Sequence, residues 1–571
     1  MDDPVANPAL VAFKPHTGPC LKRNASSEVI ESVAQIEARA DECFRSLKIL
    51  GLPSNVALWS LIVGGIELVE REIFRGENTA YLDATLINAS SLVSTAMKWI
   101  VKHGNHSLAV EHRNWTPDLA AKVHEAIALA HNYNGFLNAL PMWHKNRYGV
   151  EVLSPSHARF TVIGSEMDRR VSAYQKGFRP QAGAHRGERA QKIAPTATVN
   201  SLFEEVYSSC TRLGSFAFAY DDPWKLWAEL LPEYQSRLES ISRRADALSL
   251  GDYTLGEFKK FYAALLSVCA TQEHLCFAWG RNNKAYPNES VVMIRSRNDW
   301  SRTLSNLSGV KGSLCQSAIK DLTFDFSSSP NLHVCPFIPL GRQLAVAPHF
   351  PLHSRPDENI LWLCSKLRPR QFDTASLKKE PEMYAALEKA CSRYSPQPPV
   401  HLPKPTPDID LLLTDEESST IVIAELKWIR KPTKLLERIS RDEDVLKGFD
   451  QLRKIRQYLE QNPRHLMSIG KLRKPLTEFD NLQYAVIARD HWIWVPPTSD
   501  GAIFSHDAFI ASIARSTSLR NAMADLLTYD WLPIAGRDYT IRYDKSFAQG
   551  VEIDTEVFYS LESFPTAPAT L

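Results

Sequence analysis

The stretch "PTPDIDLLLTDEESSTIVIAELKW" (405–428) sets Asp408 and Asp410 at the head of one apolar run, and Glu425 and Lys427 near the end of the next. On an extended strand the side chains alternate faces, so Glu425 and Lys427 project to one side while Ala424, Leu426 and Trp428 project to the other. Asp408 and Asp410 share a side for the same reason. The runs IDLLL (409–413) and TIVIAELKW (420–428) are apolar and rich in β-branched residues, and the TDEESS between them predicts a turn near Glu416 and Glu417. An antiparallel hairpin follows, with the aspartates opposite Glu425 and Lys427 beside them. Adjacent carboxylates at a strand end are costly unless positive charge compensates them, and a hard cation such as Mg2+ binds one or two carboxylates while keeping several waters. Such a metal polarises a phosphoryl oxygen, and a neighbouring lysine orients the attacking water or stabilises charge on the phosphate. The chemistry expected of these residues is phosphodiester hydrolysis.

The flanking segments must position them. EPEMYAALEKACSR (380–393) predicts a helix, and the proline-rich SPQPPVHLPKPTP (395–407) ends it and delivers extended chain to the hairpin. Beyond the hairpin, RDEDVLKGFDQLRKIRQYLEQNP (441–463) predicts a helix. Its first turn would hold Asp442, Glu443 and Asp444, which suits the helix dipole, and Val445, Phe449, Leu452, Ile455 and Leu459 would share one face. LQYAVIARD and HWIWVPP then predict two more strands, in which Trp492 and Trp494 are expected in a core or interdomain aromatic pair, with base stacking as the alternative.

Pro407-Asp408, or the close alternative Asp410, followed by Glu425-Leu426-Lys427 in this element order, resembles the PD-(D/E)xK nucleases, the restriction-endonuclease-like superfamily. The resemblance spans roughly residues 376–497. It implies a core of helix, three strands, helix and strand, in which Asp410 or Asp408 together with Glu425 binds Mg2+, with Mn2+ able to substitute, and Lys427 assists the water. It further implies a site role for Gln451 on the later helix and for an acidic residue of the first helix, Glu388 or Glu382. A tyrosine four residues after Gln451 would complete that pattern, but Ile455 stands there and the nearest tyrosine is Tyr458.

A nuclease must also hold a phosphate backbone. KWIRKPTKLLERISR supplies Lys434, Arg438 and Arg441 at i, i+4, i+7 spacing with Arg430 and Lys431 beside them, one basic stripe next to the site. RKIR (453–456) and KLRK (471–474) would widen it. The plain alternative is the solvated face of an amphipathic helix.

The chain of 571 residues exceeds one hydrophobic core, and 44% hydrophobic with 23% charged residues is an ordinary globular composition. A formal charge of +1 gives no overall polyanion footprint, so nucleic acid would have to meet a local patch. The nine cysteines are scattered without a C-x-x-C pair and suit a reducing compartment. MDDPVANPALVAFKP carries neither the basic nor the apolar part of a secretory signal, and VALWSLIVGGI (56–66) is too short to cross a bilayer, so it is expected as a buried helix with a close-packed glycine pair. Cytoplasmic residence without a membrane is the expectation. HGNHSLAVEH offers His103, His106 and His112 without a zinc pattern, and no phosphate-loop, dinucleotide or serine-hydrolase motif is found.

The expected fold is a mixed α/β C-terminal nuclease core in αβββαβ order, preceded by a largely α-helical N-terminal region and a mixed α+β middle region. The expected divisions are 1–195, mainly helical; 196–375, mixed; 376–500, the nuclease core; and 501–571, an extension packed on the core. By the resemblance, the function expected is Mg2+-dependent cleavage of DNA, with RNA as the second substrate class, in prokaryotic phage defence or DNA repair. The N-terminal region would select substrate, restrain the nuclease, or bind a protein partner or a second copy. The rival expectation is an inactive nuclease-fold sensor or scaffold that binds nucleic acid or protein without cutting.

Overall fold

Apolar residues recurring every three or four positions build a helical layer in the first part of the chain. The computed structural model describes residues 25–74, 79–109, 114–175, 196–213, 217–241, 246, 249–284, 286–329, 331–354, 359, 362–363, 379–429, 435–489 and 491–560. Helices α1 (Ser27–Glu42), α2 (Ser54–Phe74), α3 (Thr79–His103) and α4 (Pro117–His144) come first, and α2, α3 and α4 pack against one another. Ser26 and Thr116 start α1 and α4 by accepting the amides of Val29 and Leu119. The Gly64-Gly65 pair of α2 makes this packing tight. A Cβ on Gly64 would lie 2.2 Å from Val123 Cγ1 of α4, and one on Gly65 2.5 Å from Val93 Cγ2 of α3.

After α4 the chain forms a hairpin, β1 (Tyr148–Ser154) with β2 (His157–Val162), and then α5 (Glu166–Gln175). A mixed stretch follows: α6 (Ala197–Ser208), β3 (Thr211–Arg212), β4 (Phe218–Ala219), α7 (Trp224–Ile241), α8 (Leu255–Asn283), β5 (Met293–Ser296), α9 (Arg297–Ser308), α10 (Gly312–Asp321), β6 (Ile338–Leu340), β7 (Gln343–Val346) and α11 (His349–Leu352). Most buried apolar side chains between Val33 and Leu363 form one cluster, which Ala548, Val551 and Ile553 join from the far end of the chain. No helix among the described residues is long and apolar enough to cross a membrane.

A second cluster gathers around α12 (Lys379–Ala390), β8 (Leu411–Asp415), β9 (Thr420–Trp428), α13 (Leu435–Gln461), α14 (His465–Ser468), β10 (Asn481–Arg489), β11 (Ala502–Ser505), α15 (His506–Arg515) and α16 (Leu519–Thr528). Its open sheet has the order β11-β10-β9-β8. β8 and β9 pair antiparallel, whereas β9, β10 and β11 run parallel, with α13 as the crossover between β9 and β10. Central parallel strands are covered on both faces, which is why β9 is buried continuously from Thr420 to Leu426 instead of alternating. Val445, Phe449, Leu452, Ile455 and Leu459 are all buried, and α13 packs on β9 and β10. The chain closes with β12 (Tyr539–Ala548) and β13 (Val551–Ser560), and β13 pairs with β2 to give a second open sheet, β1-β2-β13-β12. The fold is thus mixed α/β with open sheets.

Two local expectations are corrected. Helix α13 is continuous from Leu435, so Asp442, Glu443 and Asp444 lie well inside it and do not serve its dipole at the start. Asp442 is instead buried, receiving Arg147 at 2.9 Å and His491 Nε2 at 2.8 Å. The HWIWVPP segment forms no strand; the next one is β11. Pro496 and Pro497 lack ladder donors, and Trp492 is buried against Tyr174 and Trp531.

Helix α5 carries the chain from β2 onto the second cluster. Val171 and Tyr174 belong to the second cluster, and the buried Arg170 donates to the carbonyls of Tyr529 (2.8 Å), Leu532 (3.0 Å) and Pro533 (3.1 Å). Replacing Arg170 with Met would leave these acceptors without their donor, a loss of about 1–3 kcal/mol for a buried group. The expected result is a lowered urea midpoint followed by tryptophan fluorescence, because Trp492 and Trp531 flank the latch; an unchanged midpoint would show that α5 docks without it.

Candidate active site

The hairpin register places the acidic residues. Leu411 pairs with Ala424 and Asp415 with Thr420, the turn falls at Glu416–Ser419, and one step beyond the pairing Asp410 lies opposite Glu425. The strand before it is extended by isolated bridges from Gln397 to Leu412 and from Val400 to Ile409. Asp410 Oδ2 accepts the Leu426 amide at 2.9 Å, which anchors the carboxylate across the strand from Glu425.

Glu425 is 2% exposed. Lys427, two residues on and therefore on the same face, sends Nζ to Glu425 Oε1 at 2.5 Å and to Gln451 Oε1 at 2.7 Å. Gln451 comes from α13, whose Gly448 makes room one turn earlier. A Cβ at Gly448 would lie 3.3 Å from Lys427 Cε and 3.2 Å from Val486 Cγ2, tight enough to push on the lysine stem. The structure therefore brings Asp410, Glu425, Lys427 and Gln451 together.

Burial pushes the Glu425 carboxyl up to about 8 from an ordinary 4.5, with the Asp410 charge adding to the rise and Lys427 opposing it. Among the described residues no donor reaches the buried Glu425 Oε2, and the Asp410 carboxyl that faces Glu425 can pair with it only through a shared proton. Two facing carboxylates and one such oxygen form a donor set that fits a hard divalent cation.

The other expected site residues lie elsewhere. Asp408 is engaged by His401 Nδ1 at 2.9 Å and the Leu402 amide at 3.3 Å, and the His401 bond holds its carboxyl below the usual range. The bend of chain between Val400 and Ile409 is what wraps these donors around it. Glu382 and Glu388 are exposed on α12, Glu388 accepting from Tyr384, and Tyr458 faces His465 at 3.2 Å. Arg441 on α13 contacts Asp444 at 3.4 Å. Arg430, Lys431 and Lys434 lie outside the described residues, as does the side chain of Arg438. Arg453 and Arg456, expected to widen the stripe, both bind Asp500.

His401 and Gly448 were not anticipated from sequence. A glycine inside a strong helix is unfavourable by about 1 kcal/mol relative to alanine, so Gly448 three residues before Gln451 is a readable sign of close approach. His401 carries no comparable local signal. Comparison with protein-family models, curated proteins and solved structures finds no match to this chain.

The raised carboxyl makes a prediction. Between about 4.5 and 8 the unfolded chain has released the Glu425 proton while the folded chain still holds it. In chelator, this contribution to stability is full below that window and lost as pH rises through it. Glu425→Gln removes the dependence, so its thermal midpoint relative to wild type should climb across the window; a constant difference would mean Glu425 ionises normally in the fold.

Proposed function

We propose that the chain is a metal-dependent nuclease that hydrolyses phosphodiester bonds, with DNA as substrate, and that its catalytic core lies around β8, β9 and α13. The observation that carries this reading is the convergence of Asp410, Glu425, Lys427 and Gln451, with Lys427 Nζ held 2.5 Å from one partner and 2.7 Å from the other. The sequence of α12, β8, β9, α13 and β10 supports the PD-(D/E)xK resemblance in part: two strands, flanked by isolated bridges at Gln397 and Val400, stand where the expected order has three. Asp410 and Glu425 would hold Mg2+ or Mn2+, which when bound polarises a phosphoryl oxygen and acidifies water. Gln451 fixes the lysine ammonium beside the carboxylates, where it can orient water or meet phosphate charge. In this reading Asp410 is the ligand, and Asp408 positions the approach to the hairpin through His401.

The inactive-scaffold reading has one observation in its favour: Lys427 already occupies Glu425 Oε1 at 2.5 Å without a metal. A role for the N-terminal part in choosing substrate, in self-association or in binding a partner protein, and a place in phage defence or DNA repair, rest on analogy to similar cores.

The deciding assay incubates the full chain with linear duplex, nicked and single-stranded DNA and with RNA, with and without Mg2+ or Mn2+. Metal-dependent cutting is expected, reduced at least about 100-fold by Asp410→Asn, Glu425→Gln or Lys427→Ala. Asp408→Asn should retain most of the activity. No cutting of any substrate, or full cutting by Glu425→Gln, would sink the catalytic assignment.

Introducing bulk at Gly448 tests positioning. Gly448→Val should lower kcat by about tenfold or more by displacing Lys427, with little change in KM, because the near-attack geometry tolerates little misplacement. Loss of folding would be seen by circular dichroism, and Gly448→Ala gives the milder comparison.

A further inference from the structure

A different set of ligating side chains converges where the two ends of the chain meet. β13 pairs with β2 in parallel, with Glu552 opposite His157 and Asp554 opposite Arg159. Because side chains alternate along each strand, His157, Arg159, Glu552 and Asp554 all project from one face of the sheet. His157 Nε2 lies 3.3 Å from Asp554 Oδ1 and 3.8 Å from Glu552 Oε1. Among the described residues, no other three His, Cys, Asp or Glu donors converge as closely, within 4.8 Å of one another.

Hydrogen bonding leaves the centre of this cluster unsatisfied. Asp554 is 4% exposed, and Arg159 donates to its Oδ2 at 3.2 and 3.3 Å. Among the described residues its buried Oδ1 has no hydrogen-bond partner, nor does the buried His157 Nε2; their 3.3 Å contact is not aligned as a bond. Buried polar atoms are nearly always paired, so two facing orphans point to a missing partner that accepts lone pairs from both. His157 and Glu552 also line a cleft of about 430 Å³, together with Ser154, Ser156, Phe547 and Gln549.

We propose that His157, Glu552 and Asp554 bind a divalent cation of the Zn2+ class, which clasps β13 to β2. An imidazole nitrogen with two carboxylates selects a borderline transition metal over Mg2+ or Ca2+, which prefer all-oxygen ligands. Three protein donors leave a coordination position for water on the cleft side. Arg159, bound to the other oxygen of Asp554, orients that ligand. Lys545 donates to Glu552 Oε1 at 2.8 Å and is 60% exposed, so it competes with the cation but can withdraw into solvent. The site is independent of the nuclease reading.

The test is a Co2+ titration of the full chain carrying Asp410→Asn and Glu425→Gln, followed by visible absorption and by displacement with Zn2+. One Co2+ per chain is expected, displaced by Zn2+. Glu552→Gln or His157→Ala should weaken binding at least about tenfold, and Lys545→Ala should tighten it by removing the competing cation. Glu552 and Lys545 are partly exposed, so these two variants decide the matter even if His157→Ala fails to fold, with far-UV circular dichroism as the check. No stoichiometric Co2+ uptake by the parent, or uptake undiminished in Glu552→Gln, overturns the site.

Discussion

The pairing of Leu411 with Ala424 is the constraint on which the candidate active site depends, because a strand has a side-chain period of two and a slip of one residue would exchange its faces. In the observed register Asp410 meets Glu425, and Lys427 falls on the same face as Glu425. β10 holds β9 from the other side, pairing Val486 with Glu425 and Ala488 with Lys427, so the central strand cannot shift without breaking two ladders. The apolar runs that bury β8 and β9 therefore also aim the charges. Packing of α13 on β9 and β10 then brings Gln451 over the lysine, and Gly448 keeps the helix from crowding it.

Placing a carboxylate where Glu425 stands is costly in isolation. It is desolvated, it faces Asp410, and Lys427 reaches only one of its oxygens. A purely structural core would be better served by an apolar residue there. Local violations of packing logic that the rest of the fold supports are characteristic of functional positions. The His157, Glu552 and Asp554 cluster shows a milder form of the same imbalance, with orphaned atoms between neutralised neighbours.

Polar contacts of high definition fasten earlier parts of the chain to the second cluster. Arg170 reaches three carbonyls of the 529–533 segment, and Asp442 receives Arg147 from the N-terminal side and His491 from the loop after β10. Because Asp442 and Gln451 share α13, the contact with Arg147 and the candidate site sit on one rigid element. The final hairpin adds a second tie by entering the sheet begun by β1 and β2.

Local periodicity was enough to identify the β8–β9 hairpin, its turn, the buried face of α13 and the meeting of Glu425 with an upstream aspartate, since alternation and helical spacing are properties of neighbouring residues. It could not choose between Asp408 and Asp410. That was decided by the turn at 403–406, which brings His401 and the Leu402 amide onto Asp408; the prolines there mark a break in the chain but not which carboxylate it wraps. The burial of Asp442 likewise required partners, Arg147 and His491, distant in the chain. Most of all, the pairing of β13 with β2 joins residues almost 400 positions apart. The sequence by itself determined which side chains share a strand face; only the tertiary structure decided which faces meet, because strand partners are selected by burial of the whole core and not by any local pattern.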